Sequence, residues 1–300
     1  MGEIGGRSRD LGTAAGSRDV GLRHFDVAPG MRSTPPHAHG GEEEIFYLLG
    51  GSGLLWQDGA TCEVTAGDCI VHLPDEEAHT LRAGPDGLEV LAFGERSYAA
   101  NTLLPRAGVS WLGPTWVLEG TPEDHPWKRE ANAGPPDVGD PAERPSRIVN
   151  VLDVEPELRD GETVARASRN LGRAAGSYKT GIRHFEVDPG KLNNPPHCHS
   201  AEEEIFVVLD GGGTVELWPH LREGGELETR DLRRGSVVAR PAGNGRPHAF
   251  RAGEQGLSVL AFGTRDPRDV TYYPRSRKVS FRGIGLIGRL DVLDYWDGED

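Results

Sequence analysis

The sequence predicts an all-β protein built from two small barrels in tandem, and three observations lead there. The first is composition. Of 300 residues, 42 are Gly and 22 are Pro, while only 36% are hydrophobic. That mixture suits many short strands joined by turns better than long packed helices. The second is an internal repeat: residues 11–53 and 171–213 align without a gap, and 25 of those 43 positions are identical. A period of this length is duplication of a whole domain, because solenoid repeats are far shorter. The third is the rhythm within each copy, where short apolar runs alternate with turn residues.

In the first copy Leu22 to Val27, Ile45 to Leu49, Cys69 to Leu73 and Leu88 to Phe93 read as strands. Pro29-Gly30, Gly50-Gly51, Asp58-Gly59 and Pro85-Asp86-Gly87 read as the turns between them. No amphipathic helical pattern of useful length interrupts either copy. LGTAAGSRDVGLRHFDVAPG is repeated as LGRAAGSYKTGIRHFEVDPG, and PPHAHGGEEEIFYLLGGSG as PPHCHSAEEEIFVVLDGGG. The match resumes where GLEVLAFGERS (87–97) meets GLSVLAFGTRD (256–266), at an offset of 169 instead of 160, so the second copy has gained nine residues.

Residues 120–147 are rich in Pro, Gly and charge, which marks a linker. The expected organisation is an N-terminal barrel over 1–130, a linker over 131–146 and a C-terminal barrel over 147–300. The second barrel is expected to open with the apolar run Ile148 to Val154.

A formal net charge of -14 argues against a nucleic-acid partner and disfavours anionic membranes, since both require a surplus of Lys and Arg. Cys62, Cys69 and Cys198 are odd in number and form no CxxC pair, so neither a disulfide framework nor a zinc finger is expected. The N-terminus lacks the apolar core of a signal peptide, and no apolar run reaches membrane-spanning length. The expectation is a cytoplasmic protein whose partner is a small molecule, with a homodimer an open option because barrel edges pair readily.

Eight residues carry the chemistry. His37 and His39 are one residue apart, which on a strand puts both imidazoles on one face. Glu44 follows five residues on, and His79 comes after PDEEA. The second copy repeats the set as His197, His199, Glu204 and His248. Neutral imidazoles with a carboxylate suit Fe, Mn, Ni, Zn or Co, up to two ions per chain, and leave positions open for water or substrate. A lone HxH pair would be weak evidence. The same ligand types in the same order twice, while the residues around them diverged, are strong evidence.

These segments resemble the cupins, whose first motif runs His-x-His-x3–4-Glu-x6-Gly. Glu44 is followed by six residues and Gly51, and Glu204 by six and Gly211, so these fit the ligand slot in preference to Glu43 and Glu203. GDCIVHLPDEEAH and GSVVARPAGNGRPH resemble the second motif, Gly-x5-Pro-x-Gly-x2-His. There the pattern shifts. One residue is extra between Gly67 and Pro74, Glu76 replaces a Gly, and two residues are extra between Gly243 and His248. The motif's closing Asn is missing too. The resemblance implies a bicupin of two jelly-roll barrels, each with a metal inside its mouth. The last stretch, YYPRSRKVSFRGIGLIGRLDVLDYWDGE, resembles uncharacterised bacterial two-cupin proteins.

Around the sites, Phe46, Trp56, Leu81 and Phe93, with Phe206, Trp218, Phe250 and Phe262, are expected to line the barrel interiors. Arg246, just before His248, is the candidate anchor for a carboxylate ligand. His24 and His184 are expected in packing roles, and Cys198 on the face away from its flanking histidines. The segment Pro219 to Asp231 is expected as an extra-long hairpin beside the second site.

Among the cupins, oxalate decarboxylases carry an Arg three residues before the first His, where this chain has Thr34 and Asn194. Gentisate dioxygenases typically lack the Glu ligand, whereas quercetinase-like oxygenases keep three His and one Glu. The resemblance therefore implies dioxygenase-like chemistry ahead of decarboxylation or isomerisation. A non-catalytic binding or sensor barrel is the alternative, since fold alone does not decide function.

Overall fold

The computed structural model describes residues 3–97, 100–112, 115–116 and 126–299. The chain forms two compact units, Met1–Glu155 with Arg169–Arg183, and Pro156–Ser168 with His184–Asp300. Both are β-rich, as the composition predicts.

In the first unit the strands are β1 (Gly6–Asp10), β2 (Val20–Val27), β3 (Ala38–Gly40), β4 (Glu44–Gln57), β5 (Ala60–Thr65) and β6 (Asp68–His72). They continue as β7 (His79–Glu95), β8 (Asn101–Leu104), β9 (Val109–Leu112), β10 (Thr115–Trp116) and β11 (Ile148–Asn150). One sheet runs β1-β2-β7-β4-β6-β11, with β5 added to β4, and a smaller one runs β10-β9-β8-β3. Phe46, Leu48, Leu55, Ile70, Leu81 and Val90 form the buried centre. One-turn helix α1 (Leu11–Ala14) precedes β2 because Asp10 caps it, accepting from the Thr13 N–H at 2.9 Å.

The second set is β12 (Glu157–Asp160), β13 (Ala165–Arg169), β14 (Thr180–Val187), β15 (Cys198–His199), β16 (Glu204–Leu217) and β17 (Glu228–Arg233). It ends with β18 (Val237–Arg240), β19 (His248–Thr264), β20 (Val270–Tyr273), β21 (Lys278–Phe281) and β22 (Leu286–Arg289). The sheets repeat the first pattern: β12-β13-β14-β19-β16-β17 with β18 on β16, and β15-β20-β21-β22. Phe185, Phe206, Val208, Phe250 and Val259 fill its centre.

Several expectations change. Gly50-Gly51 and Pro85-Asp86-Gly87 are not turns between strands. They lie inside β4 and β7, which stay paired around a bend with register shifts at Leu48/Gly50 and Gly51/Gly53. Gly51 allows this, since its φ is +80° and an added Cβ would sit 2.2 Å from the Gly87 carbonyl oxygen. The run beginning at Ile148, read as the start of the second copy, contributes β11 to the first sheet, pairing Ile148 with Ile70 and Val149 with Cys69. Helix α2 (Pro126–Asn132) stands at the expected barrel–linker junction, with Trp127 packed on Leu104, Ala107 and Val109. The start of the linker stretch, residues 120–125, lies outside the described residues.

Of the eight expected interior side chains, Phe46, Leu81, Phe206 and Phe250 belong to the central clusters. Phe93 and Phe262 are buried on the opposite face, beside Ile45 and Ile205 in register. Trp56 and Trp218 are half-buried near the strand ends. No helix of the described residues is long and apolar enough to cross a membrane.

Candidate metal centres

His37 and His39 flank Ala38, at the start of β3, while Glu44 opens β4 and His79 opens β7. Two backbone hydrogen bonds tie the ends together: His37 N–H to the His79 carbonyl at 3.2 Å, and His79 N–H to the His37 carbonyl at 2.9 Å. The second barrel repeats this bridge between His197 and His248 at 3.1 and 2.8 Å. The bridge fixes the last histidine of each set despite the altered second motif. The altered loops are tied down as well, by Asp75 N–H to the His39 carbonyl at 2.8 Å and Gly243 N–H to the His199 carbonyl at 2.9 Å. Asp75 and Gly243 both take positive φ there, at 57° and 65°.

All four predicted side chains of the first copy converge. Glu44 Oε2 lies 3.0 Å from His79 Nε2, 3.2 Å from His39 Nε2 and 3.9 Å from His37 Nε2. In the second copy Glu204 Oε2 lies 3.2 Å from His248 Nε2, 3.5 Å from His199 Nε2 and 3.8 Å from His197 Nε2. His37 and His197 each donate from Nδ1 to a proline carbonyl, Pro35 and Pro195, at 2.9 Å. That leaves Nε2 as the lone-pair side facing the cluster. Among the described residues, the buried Nε2 atoms of His199 and His248, with Glu204 Oε2, have no hydrogen-bond partner. Converging, orphaned, buried donor atoms of this chemistry fit a divalent cation. His37, His39, Glu44 and His79 could hold one; His197, Glu204 and His248 form a second such group. His199 is grouped instead with Glu202 and Asp269, because its Nδ1 donates to Asp269 at 2.8 Å while its Nε2 still faces Glu204.

The electrostatics agree. Burial pushes the His37 imidazole down to about 3, helped by His79 and His39 nearby, and burial brings His248 to about 3 as well. Both are neutral donors at neutral pH. Burial would raise Glu44, but His39 and His79 hold it well below the usual carboxylate range. Glu204 is likewise held low against its burial, by His199 first. His199 moves the other way. Burial opposes its charge, yet Glu204 and the Asp269 hydrogen bond outweigh that and raise it to about 9.

Other predicted residues stay apart from the clusters. Arg246 does not face the second one: its guanidinium is engaged by Glu228 at 2.6 Å and by the Trp218 carbonyl at 3.3 Å. The guanidinium directly opposite Glu204 in the sheet register is that of Arg240, which hydrogen-bonds the Arg246 carbonyl at 2.5 Å. His24 bonds Glu89 at 2.8 Å and His184 bonds Ser258 at 2.8 Å. Cys198 is a buried free thiol that burial pushes up to about 11. The loop after Leu217 lines a cleft of about 460 Å³ with Arg240, Asn244 and Arg246.

Sequence reasoning missed three contributors. His72, paired with Glu44 in register, stacks on His79 with ring centroids 3.6 Å apart. Glu42 Oε2 lies 3.8 Å from His39 Nδ1. Asp269 grips His199. The first cluster opens on a cavity of about 550 Å³ whose lining includes Phe25, Phe46, Leu81, Trp111 and Trp127.

Comparison with known proteins follows the same lines. The model of a family described as "Cupin domain" matches residues 23–92 and 183–262, half of the chain. The chain belongs to the cupin family. Having two such domains it is a bicupin, and its sheets are those of tandem jelly-roll barrels. No curated protein matches it. Among solved structures it is similar to oxalate decarboxylase of Lactobacillus farciminis in a formate complex, with 17% identity and a TM-score of 0.58 over 88% of this chain and 82% of that one. Oxalate decarboxylase of Bacillus subtilis at pH 4.6 gives 18% identity and 0.59 over 88% and 73%. Vicilin of hazelnut, Corylus avellana, gives 18% and 0.55 over 85% and 77%. At these identities the likeness concerns the bicupin fold.

Proposed function

We propose that each barrel holds one divalent metal ion on three histidines and a glutamate, and that the chain acts there on a small organic molecule. The observation that carries this reading is the convergence, in both copies, of three Nε2 atoms on a single carboxylate oxygen. His37, His39, Glu44 and His79 would hold one ion, and His197, His199, Glu204 and His248 the other. The donor set suits Fe, Mn, Ni, Zn or Co. The Mn(II) centres named for a Bacillus subtilis oxalate decarboxylase make manganese the first ion to try. A bound ion would supply Lewis-acid chemistry, or redox chemistry if Fe, Mn or Ni.

The chain's own side chains do the rest. The carbonyls of Pro35 and Pro195 hold the Nδ1 protons of His37 and His197, which keeps both rings aimed. In the first barrel Phe25, Phe46, Leu81, Trp111 and Trp127 give the cavity an apolar wall that can grip a ring or chain, with Arg7 and Arg23 also in its lining. Such a wall favours an oxidisable substrate with an apolar body over oxalate, which has no apolar surface to bury. Thr34 lines the same cavity in the place where decarboxylases of the family carry an Arg. The finer reading is therefore dioxygenase-like chemistry in the first barrel.

Elemental analysis of the full chain tests the metal. The expected content is up to two ions per chain, with His37→Ala/His39→Ala and His197→Ala/His199→Ala each losing one. Retention of full metal content by both variants would sink the assignment. Oxygen uptake by the loaded protein over a panel of aromatic and carboxylate metabolites then tests the reaction. Tight binding of a panel member without turnover would replace the enzyme with a binding module.

A further inference from the structure

The two clusters differ in what stands behind the second histidine. In the second barrel Asp269, 1% exposed, accepts the His199 Nδ1–H on Oδ2 at 2.8 Å. The same oxygen accepts from Thr271 Oγ1 at 3.1 Å, and Oδ1 accepts the Ala201 N–H at 3.0 Å, the Glu202 N–H at 3.3 Å and the Ser200 hydroxyl at 3.4 Å. Both oxygens are saturated by donors, so this carboxylate is placed to orient a ring and not to take a cation. Its neighbour Glu202 is also occupied, by the Asp266 N–H at 3.0 Å and by the Arg282 guanidinium. The group of His199, Glu202 and Asp269 is thus a support for the Glu204 cluster, not a third metal site.

The first barrel lacks this device. The register that pairs His199 with Thr271 pairs His39 with Thr102, and two residues earlier Ala100 stands where the second barrel has Asp269. Among the described residues His39 Nδ1 is buried without a hydrogen-bond partner, Glu42 Oε2 standing 3.8 Å away. We propose that Asp269 is a positioning residue for the second metal centre. It fixes the proton of His199 on Nδ1, points Nε2 at Glu204 and raises that nitrogen's donor strength, while the first centre works without such a partner. This rests on the proposed metal reading. Partners that orient a ligating histidine are worth about 10–100-fold in metal affinity.

The test uses the full chain and Zn²⁺ titrated against a chromophoric chelator, with affinities corrected for protons released. In the His37→Ala/His39→Ala background, which isolates the second site, Asp269→Asn should weaken Zn²⁺ binding about 10–100-fold. In the His197→Ala/His199→Ala background the same substitution should leave the first site unchanged. A change below twofold in the second site, or an equal loss in both sites, would overturn the proposal. A second readout needs neither metal nor variant: the metal-free protein should show a slowly exchanging, low-field Nδ1 proton on His199 and none on His39. Absence of the His199 signal overturns the proposal even where Asp269→Asn fails to fold. If no Zn²⁺ binds to either site while that signal is present, the metal reading fails and the positioning of His199 stands.

Discussion

Three consecutive glutamates show how residue position decides chemistry. Glu42, Glu43 and Glu44 are identical in type, yet each meets a different environment. Glu44 opens β4 and faces the three histidines. Glu42 accepts the Ser97 N–H at 3.0 Å and approaches His39 from behind. Glu43 is fully buried within the first unit and accepts five bonds from residues 177–180: the Tyr178, Lys179 and Thr180 N–H groups and the Ser177 and Thr180 hydroxyls, at 2.7–2.9 Å. Burial would raise its carboxyl, but the backbone donors of Lys179 and Tyr178 hold it below the ordinary range. Five donors around one charge explain why a buried carboxylate is tolerated there. Glu43→Ala would strand those donors and should cost roughly 3 kcal/mol or more of stability, with metal content unchanged. Urea unfolding checks the first half of this and elemental analysis the second. An unchanged unfolding midpoint would mean that the five bonds contribute nothing net.

At the scale of elements, the same logic separates what was readable from what was not. The strand cores were legible because apolar residues cluster where the sheet is buried, as in the run from Ile45 to Leu48. The ligand set was legible because three histidines and a glutamate recur in one order in both copies. What could not be read was whether Gly50-Gly51 ends a strand or bends one. Both readings need a glycine, and only pairing with β7 on each side of the bend decides between them. Gly51→Ala should therefore act on the whole β4–β7 pair. Its Cβ would meet the Gly87 carbonyl at 2.2 Å in a positive-φ conformation, for a cost of roughly 2 kcal/mol or more. Thermal unfolding measures it, and a loss below about 0.5 kcal/mol would show that the bend relaxes freely. Asp269 was missed for a related reason. It is 65 residues along the chain from Glu204, and its only signal was an acid at 269 against Ala100 in the other copy. Arg246 stands out in the sequence because its proximity to His248 is visible, whereas the pairing of Arg240 with Glu204 across two strands is not.

Over the whole molecule, duplication has produced two centres with one ligand set and different groups behind the second histidine, Glu42 behind His39 and Asp269 behind His199. At pH 7 the metal-free second centre keeps His37's counterpart, His197, and His248 neutral, since burial depresses both. His199 carries a proton, because Glu204 and Asp269 outweigh its burial and raise it to about 9. A cation needs the Nε2 lone pair, so uptake must expel that Nε2 proton while the Nδ1 proton stays with Asp269. The sign follows directly: proton competition falls as pH rises toward about 9, so affinity climbs up to tenfold per pH unit and levels off above it. Calorimetry of the His37→Ala/His39→Ala variant, in buffers of different ionisation enthalpy, should count about one proton released per ion at pH 7 and close to none at pH 10. Release of no proton at pH 7 would show that His199 is already neutral, and the charge balance argued for this centre would be wrong. The pH dependence of loading at the second centre thus rests on Glu204 first and on Asp269 behind the ring, while in the first barrel Glu44 and Glu42 raise His39 in the same direction.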